Sequence, residues 1–287
     1  MKDINAKQLI IGALLAIFIS SFENLSGQDS TYYPKGNPKK WNFDVTPFLW
    51  VPWVSGNVTS AYVSENFDMP AIDLLKNIKM AFMINTELSK GKFFISPTYI
   101  YNRVGSEQVL RIDKKGEDAL LSARELTLNV VEFLAGMRLP ISKQFILDPF
   151  IGFRYNNFKT SIDAEGKLDT VSRTETTEFW DPVIGIRVYY FPHPRVPLSL
   201  RADVGGFGAG SKISWTTTLH GGYTLSPVID LIAGFNVYGF NYETKTDQDR
   251  TAGLTTVFYG FDLGITIHIP NRGKDPAVFK KFRKGLN

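Results

Sequence analysis

Residues 259–269 read YGFDLGITIHI, and this stretch decides the fold. Tyr259, Phe261, Leu263, Ile265, Ile267 and Ile269 take every second position, with Gly260, Asp262, Gly264, Thr266 and His268 between them. Side chains of an extended chain point alternately to opposite faces, so the segment is a strand with one apolar and one polar face. The same period runs through Ile78–Leu88, Leu198–Val204 and Ile213–Leu225. The last of these is about twice the five or six residues usual in soluble proteins. It is long enough to cross a bilayer at a tilt, for which about 9–11 residues are needed.

Working outward, no run past residue 40 is apolar and long enough for a membrane helix, and a closed barrel is the one sheet that satisfies every backbone group in lipid. Trp41, Trp50, Trp53, Tyr99, Tyr101, Trp180, Tyr189, Tyr190, Tyr223, Tyr238 and Tyr242 lie toward run ends, as interfacial girdles require. The expected fold is all-β, a closed antiparallel transmembrane β-barrel of about ten strands. They are placed near 41–52, 77–88, 92–104, 123–139, 145–160, 175–191, 197–208, 211–224, 228–243 and 254–269. Tight connections at 89–92, 140–144, 192–197 and 226–227 read as periplasmic turns. Polar stretches at 105–121, 161–174 and 244–252, with a short glycine-rich one at 208–211, read as external loops. Segment 53–76 leaves eight or twelve strands open. Asn57–Val63 has strand character, and PAIDLLK (Pro70–Lys76) reads as a short helix over or inside the lumen.

Composition agrees. The chain has 287 residues, 14% of them aromatic and none cysteine, which excludes a disordered chain, a disulfide scaffold and thiolate chemistry. Its net charge of +4 is unevenly spread. The tail Arg272–Asn287 contributes +5 and the arm Gln28–Lys40 contributes +2, leaving the body at about −3, which speaks against a nucleic-acid surface. Lys2 and Lys7 before the apolar run Leu9–Phe22, then ENLSGQDS, have the layout of a secretory signal peptide with cleavage after Gly27. The expected organisation is a signal peptide at 1–27, a periplasmic arm at 28–40, the barrel at 41–269 and a basic periplasmic tail at 270–287. The expected location is the outer membrane.

The polar face carries the candidate site. It collects Asp44, Glu87, Glu132, Asp148, Asp181, Asp203, Asp230 and Asp262, with Lys79, Arg138, Arg154, Arg187, Arg201 and Lys212. Charges inside a narrow barrel must pair or meet water. Paired, they form an ionic lattice that fills the lumen; unpaired, they line an aqueous path and bias ion passage. The expected lattice comprises Glu132, Arg138, Asp148, Arg154, Asp181, Arg187, Arg201, Asp203 and Asp262. Arg201 and Asp203 are expected to meet charges on the adjoining strand. DPFIGFR (Asp148–Arg154) recurs as DPVIGIR (Asp181–Arg187), either as part of that lattice or because neighbouring barrel strands share a pattern.

Other chemistry is poorly supported. His193, His220 and His268 show no metal-ligand spacing, and no local motif sets one as base to a nucleophile. Ser211 and Ser214 read as lumen-facing polar residues. The glycines of VGGFGAGS (Val204–Ser211) precede a strand rather than the helix a phosphate loop needs. KKFRK (Lys280–Lys284) reads as a solvated terminus, or as a segment that touches anionic lipid.

Two resemblances add to this. DLGITIHI (Asp262–Ile269) resembles the C-terminal signal read by the barrel-assembly machinery, matching at Asp262, Gly264, Ile267 and Ile269. LSLRADVGGFGAGSKISW (Leu198–Trp215), with WDPVIGIR before it and, more loosely, FLWVPWVSGNV and PAIDLLKNIK, resembles a poorly characterised family of Gram-negative outer-membrane β-barrel proteins. The resemblance implies location and fold, with outer-membrane lipid and the assembly machinery as partners, and lends no activity. The expected function is a small pore or solute passage without covalent chemistry, catalytic residues, metal or cofactor. The alternative is a structural or adhesive barrel whose lumen is closed by ion pairs. An outer-membrane hydrolase, or a soluble barrel that turns its apolar face inward, are more distant readings.

Overall fold

A computed structural model describes residues 40–59, 64–114, 117–142, 144–165, 170–193, 195–226, 228–245 and 251–269. The segments expected as signal peptide (1–27), periplasmic arm (up to residue 39) and basic tail (270–287) lie outside the described residues. The elements are β1 (Asn42–Thr59), β2 (Ser64–Met69), α1 (Ala71–Lys76), β3 (Ile78–Lys90), β4 (Phe93–Lys114) and β5 (Glu117–Met137). They continue with β6 (Leu139–Pro140), β7 (Phe145–Glu165), β8 (Thr170–His193), β9 (Val196–Gly205), β10 (Ile213–Ser226), β11 (Ile229–Lys245) and β12 (Thr251–Ile269). Ten of the strands form an antiparallel sheet in the order β1-β3-β4-β5-β7-β8-β9-β10-β11-β12, and β12 pairs back onto β1 from Phe43↔Ile269 to Thr59↔Gly253. The barrel is closed. The short β2 folds back on the upper half of β1, and β6 adds two residues beside β7.

These are the ten strands the alternation predicts, but many are longer. Polar stretches expected as loops are mostly strand: β4 and β5 pair up to Lys114↔Glu117, β7 and β8 to Glu165↔Thr170, and β11 and β12 to Lys245↔Thr251. An antiparallel ladder continues past the apolar belt on backbone bonds alone, and there no alternation marks it. Segment 53–76 resolves without an eleventh barrel strand. β1 runs on through Asn57–Thr59, β2 returns along it, and α1 covers Ala71–Lys76 within the expected helix. Residues 60–63 lie outside the described set.

The barrel is oily outside and charged within. Leu263 is 66% exposed and Phe261 63%, whereas Asp262 between them is 3% exposed. Leu49, Phe82, Phe93, Ile151, Phe153, Ile184, Leu200 and Leu219 are likewise exposed on the outer surface. Rings gather toward both borders of this belt: Trp53 stacks on Tyr259 and Tyr155 meets Trp180 near one, and Phe145 stacks on Tyr190 near the other. A contiguous apolar band of this size is not a surface that faces water.

Inside, two levels follow each other along the strands. Nearer the tight turns the inward positions are charged, as at Asp148 and Arg154 of β7 or Arg187 and Asp181 of β8. Nearer the long hairpins the same phase turns aromatic. Trp50, Val54, Met83, Val104, Leu128, Val130, Phe158, Phe179, Tyr238, Phe240 and Phe258 pack there with Leu74 of α1 as one buried cluster. Phe158 lies 4.8 Å from Phe240 and 5.9 Å from Phe258, ring to ring, so this layer spans the lumen. The alternation alone did not anticipate it.

Candidate functional site

The repeated heptapeptide builds the lumen's charged level. β7 and β8 pair so that DPFIGFR runs against DPVIGIR about Ile151↔Ile184, which sets Asp148 opposite Arg187 and Arg154 opposite Asp181. A motif that begins with an acid and ends with a base is self-complementary when laid antiparallel on its own copy, since each end meets its opposite charge.

Two closed squares of charge result. In the first, Arg138 Nη2 donates to Glu87 Oε1 at 2.6 Å and to Asp148 Oδ2 at 3.1 Å. Arg187 Nη2 donates to Glu87 Oε2 at 2.6 Å and to Asp148 Oδ2 at 2.9 Å. In the second, Arg154 Nη2 donates to Glu132 Oε2 at 2.7 Å and to Asp203 Oδ1 at 2.8 Å. Arg201 donates twice to Glu132, at 2.8 and 2.7 Å, and through Nε to Asp203 at 2.8 Å. Each square holds two guanidinium and two carboxylate groups and is neutral. Rings flank them: Arg187 lies 4.9 Å from the centre of Phe94, Arg201 5.3 Å from Phe150, and Arg154 4.9 Å from Tyr238.

All nine residues expected in the lattice face inward, but they do not form one lattice. Glu132, Arg138, Asp148, Arg154, Arg187, Arg201 and Asp203 make up the squares, with Glu87 completing the first. Asp181 instead accepts from Ser211 N and Ser211 Oγ, both at 2.7 Å, and so anchors the glycine-rich connection between β9 and β10. There Gly206 and Gly208 have φ of 86° and 79°, a region open to glycine at little cost. Asp262 pairs with His220 at 2.9 Å. Arg201 bonds Asp203 on its own strand and otherwise reaches three strands along the wall to Glu132, because the residue opposite it on β8 is Arg187, a like charge.

Two expected lumen bases lie elsewhere. Lys79 is exposed and 3.5 Å from Glu125, because a register shift between Ile78 and Met80 takes it out of phase with the rest of β3. Lys212 precedes β10 and pairs with Glu243. Near the tight turns His268 binds two acids, Nδ1 with Asp44 Oδ1 at 2.7 Å and Nε2 with Asp230 Oδ2 at 2.9 Å. His268 thereby bridges β12 to β1 and to β11 through both ring nitrogens. The residues expected to form the assembly signal lie on β12 along the closing seam, with Asp262, Gly264, Ile267 and Ile269 opposite Trp50, Phe48, Val45 and Phe43.

A cavity of about 770 Å³ extends from the tight-turn end and runs alongside the squares, whose Glu87, Glu132, Arg138, Arg154, Arg187 and Arg201 line one wall of it, up to the aromatic layer. Its mouth is formed by Tyr189, Phe191, His193, Arg195, Pro197 and Tyr223, and its inner end by Trp50, Val130 and Tyr238. Among the described residues no group of three or more His, Asp or Glu is arranged to hold a metal ion.

An all-β barrel, closed, apolar outside and ion-paired within, is the class that fold and site define. No family model matches the sequence, and no curated protein does. Among solved structures the chain is similar to the outer membrane protease OmpT of Escherichia coli, with a TM-score of 0.48 and 10% identity over 81% of this chain and 98% of that one. It is also similar to the translocator domain of the autotransporter NalP of Neisseria meningitidis (TM-score 0.37, 12% identity, 90% and 97% covered). A third is the outer membrane protein OprG of Pseudomonas aeruginosa (TM-score 0.37, 8% identity, 83% and 99% covered). These are likenesses of strand arrangement, and no activity is carried over from them.

Proposed function

We propose that this protein is an outer-membrane β-barrel held shut at mid-lumen, a structural or surface-presenting element rather than a standing pore. The observation that carries the reading is the stack of two neutral Arg–carboxylate squares beneath a lumen-wide aromatic layer. An ion following the cavity past the squares would meet the lumen-wide ring layer and have to dehydrate against it, which is costly, while the paired guanidinium groups hold the wall beside it rigid. The exposed apolar belt supports insertion in a bilayer, with the tight turns on the periplasmic side and the long hairpins outside. The location, the resemblance to Gram-negative barrel proteins, the roles of Asp262, Gly264, Ile267 and Ile269 in assembly, and the lipid and assembly-machinery partners belong to the same proposal. So does the absence of covalent chemistry.

A gated solute passage is the second reading, favoured by the 770 Å³ cavity that already occupies the tight-turn side of the lumen. Planar-bilayer recording of refolded protein separates the two. A silent bilayer, with folding verified by β-sheet circular dichroism, is the expected result. Stepwise openings of the unmodified protein would overturn the closed reading in favour of the passage.

A further inference from the structure

The barrel wall has one seam that is only half closed. β1 pairs with β3 over six residues, Asn42↔Ser89 to Pro47↔Ile84, and its next pairing on that side is with β2, from Val54↔Met69 upward. Residues 48–53 of β1 and 78–83 of β3 therefore face each other without a ladder. The slot is about 20 Å tall at the usual rise per residue. Pro47, which has no N–H to give, is the last residue paired. One bond bridges the slot, from Trp50 N to Met83 Sδ at 3.2 Å, and sulfur is a weak acceptor. α1 crosses its top as a lintel. Leu74 points into the aromatic cluster, while Ile72 and Leu75 are exposed beside Met80 and Phe82 of β3.

We propose that this slot admits the acyl chain of a bilayer lipid, which lies between β1 and β3 under α1 and touches Trp50. The inference rests on the reading of the barrel as membrane-embedded. The occupant follows from position. The slot lies just below the Trp53–Tyr259 pair that borders the belt, and its outer rim (Leu49, Met80, Phe82) continues the lipid-facing surface. Hydrocarbon is therefore the phase against its outer rim, while Trp50 and Met83, which meet across it, close its inner side. The inner rim, Phe48 and Trp50, also lines the lumen cavity, so a chain in the slot rests against the cavity's apolar wall.

Tryptophan quenching by lipids brominated at mid-chain tests this. The chain has five tryptophans; variants keep Trp50 alone or Trp53 alone, with Phe at the others, and are reconstituted in brominated phosphatidylcholine vesicles. Trp53, on the outer face, is expected to be quenched; if it is not, the membrane reading itself fails. With Trp53 quenched, Trp50 is expected to lose about half its emission although it is 2% exposed, and Leu74→Ala (or Leu74→Val, should the first not fold) is expected to deepen the loss. A Phe158→Trp indole in a background without other tryptophans, four strands around the wall from Trp50, is expected to stay bright. Trp53 quenched with Trp50 untouched would overturn the proposal, as would equal quenching at 50 and 158. Quenching of Trp50 by bromobenzene but not by the brominated lipid would overturn it too, and assign the slot to small apolar solutes.

Discussion

Arg154→Met removes one corner of the second square, and its cost can be worked from the geometry. Arg154 is 3% exposed and supplies two bonds to Glu132, at 3.0 and 2.7 Å, and one to Asp203 at 2.8 Å. Methionine keeps much of the packing against Tyr238 but leaves two buried carboxylates sharing the single charge of Arg201. Breaking a buried ion pair from one side costs about 3–5 kcal/mol, since the charge left behind is uncompensated. Because Arg201 already bonds both acids, the lower part of that range, about 3 kcal/mol, is expected. Glu132→Gln alone leaves the opposite imbalance, two guanidinium groups on Asp203, and is expected to cost a similar amount. The double variant Glu132→Gln/Arg154→Met is neutral again, with Arg201 facing Asp203. It is expected to be more stable than either single variant, with a coupling of about 2 kcal/mol or more. Urea unfolding in lipid vesicles, followed by tryptophan emission, measures all four corners of the cycle. Two additive single losses would refute the reasoning, because independent sites add and members of one charge balance do not.

Three further outcomes follow from the same structure. Leu263→Lys, at an exposed position in the middle of β12, is expected to destabilise the protein in vesicles by about 2–4 kcal/mol, as a cation on a lipid face does; no loss in urea titrations would mean that this face meets water. Gly234→Ala drives a Cβ into His220 Cδ2, at the glycine that lets His220 reach across β11 to Asp262. A cost of about 1–3 kcal/mol is expected, read as a lowered thermal midpoint, and an unchanged midpoint would contradict the close approach. Ser211→Ala withdraws the hydroxyl from buried Asp181 and is expected to cost about 1–3 kcal/mol. Its signature is faster protease cleavage at the β9–β10 connection, and wild-type cleavage rates would count against the anchor.

The outer face was legible because a strand in lipid has one rule, apolar at every second position, and Tyr259–Ile269 obeys it without interruption. Phase also carried the charged interior: Asp148, Arg154, Asp181 and Arg187 needed only the alternation to be placed inside. Their partners were not legible in that way. Which inward residues meet depends on the stagger between strands, and that stagger put Arg187 opposite Arg201 and sent each to a carboxylate elsewhere, Glu87 and Glu132. Lys79 shows the limit of phase itself, since one bulge reverses the face of every residue beyond it. The aromatic layer was within reach. Phe158 continues the inward phase of Arg154 and Asn156, and Phe258 that of Asp262, so following the polar face to its end would have shown it turning apolar.

The two levels of the lumen also explain each other. Aromatic rings alone would close the upper half, but rings give a loose barrel no reason to hold one register, because apolar contact is non-directional. Arginine–carboxylate pairs are directional and fail if a strand slips, since a shift of one residue sends every side chain to the opposite face. The antiparallel DPxIGxR copies set the register of β7 against β8 from both ends at once, and Glu132 opposite Arg154 sets β5 against β7. The wall facing the squares has no such pairs on β10 or β11; there His220–Asp262 and His268 with Asp44 and Asp230 span strands instead. Register is thus fixed by charge on one side of the barrel and by histidine bridges on the other. Both kinds of bridge lie near the tight turns, and the ladder of β1 with β3 ends just above that level, at Pro47↔Ile84.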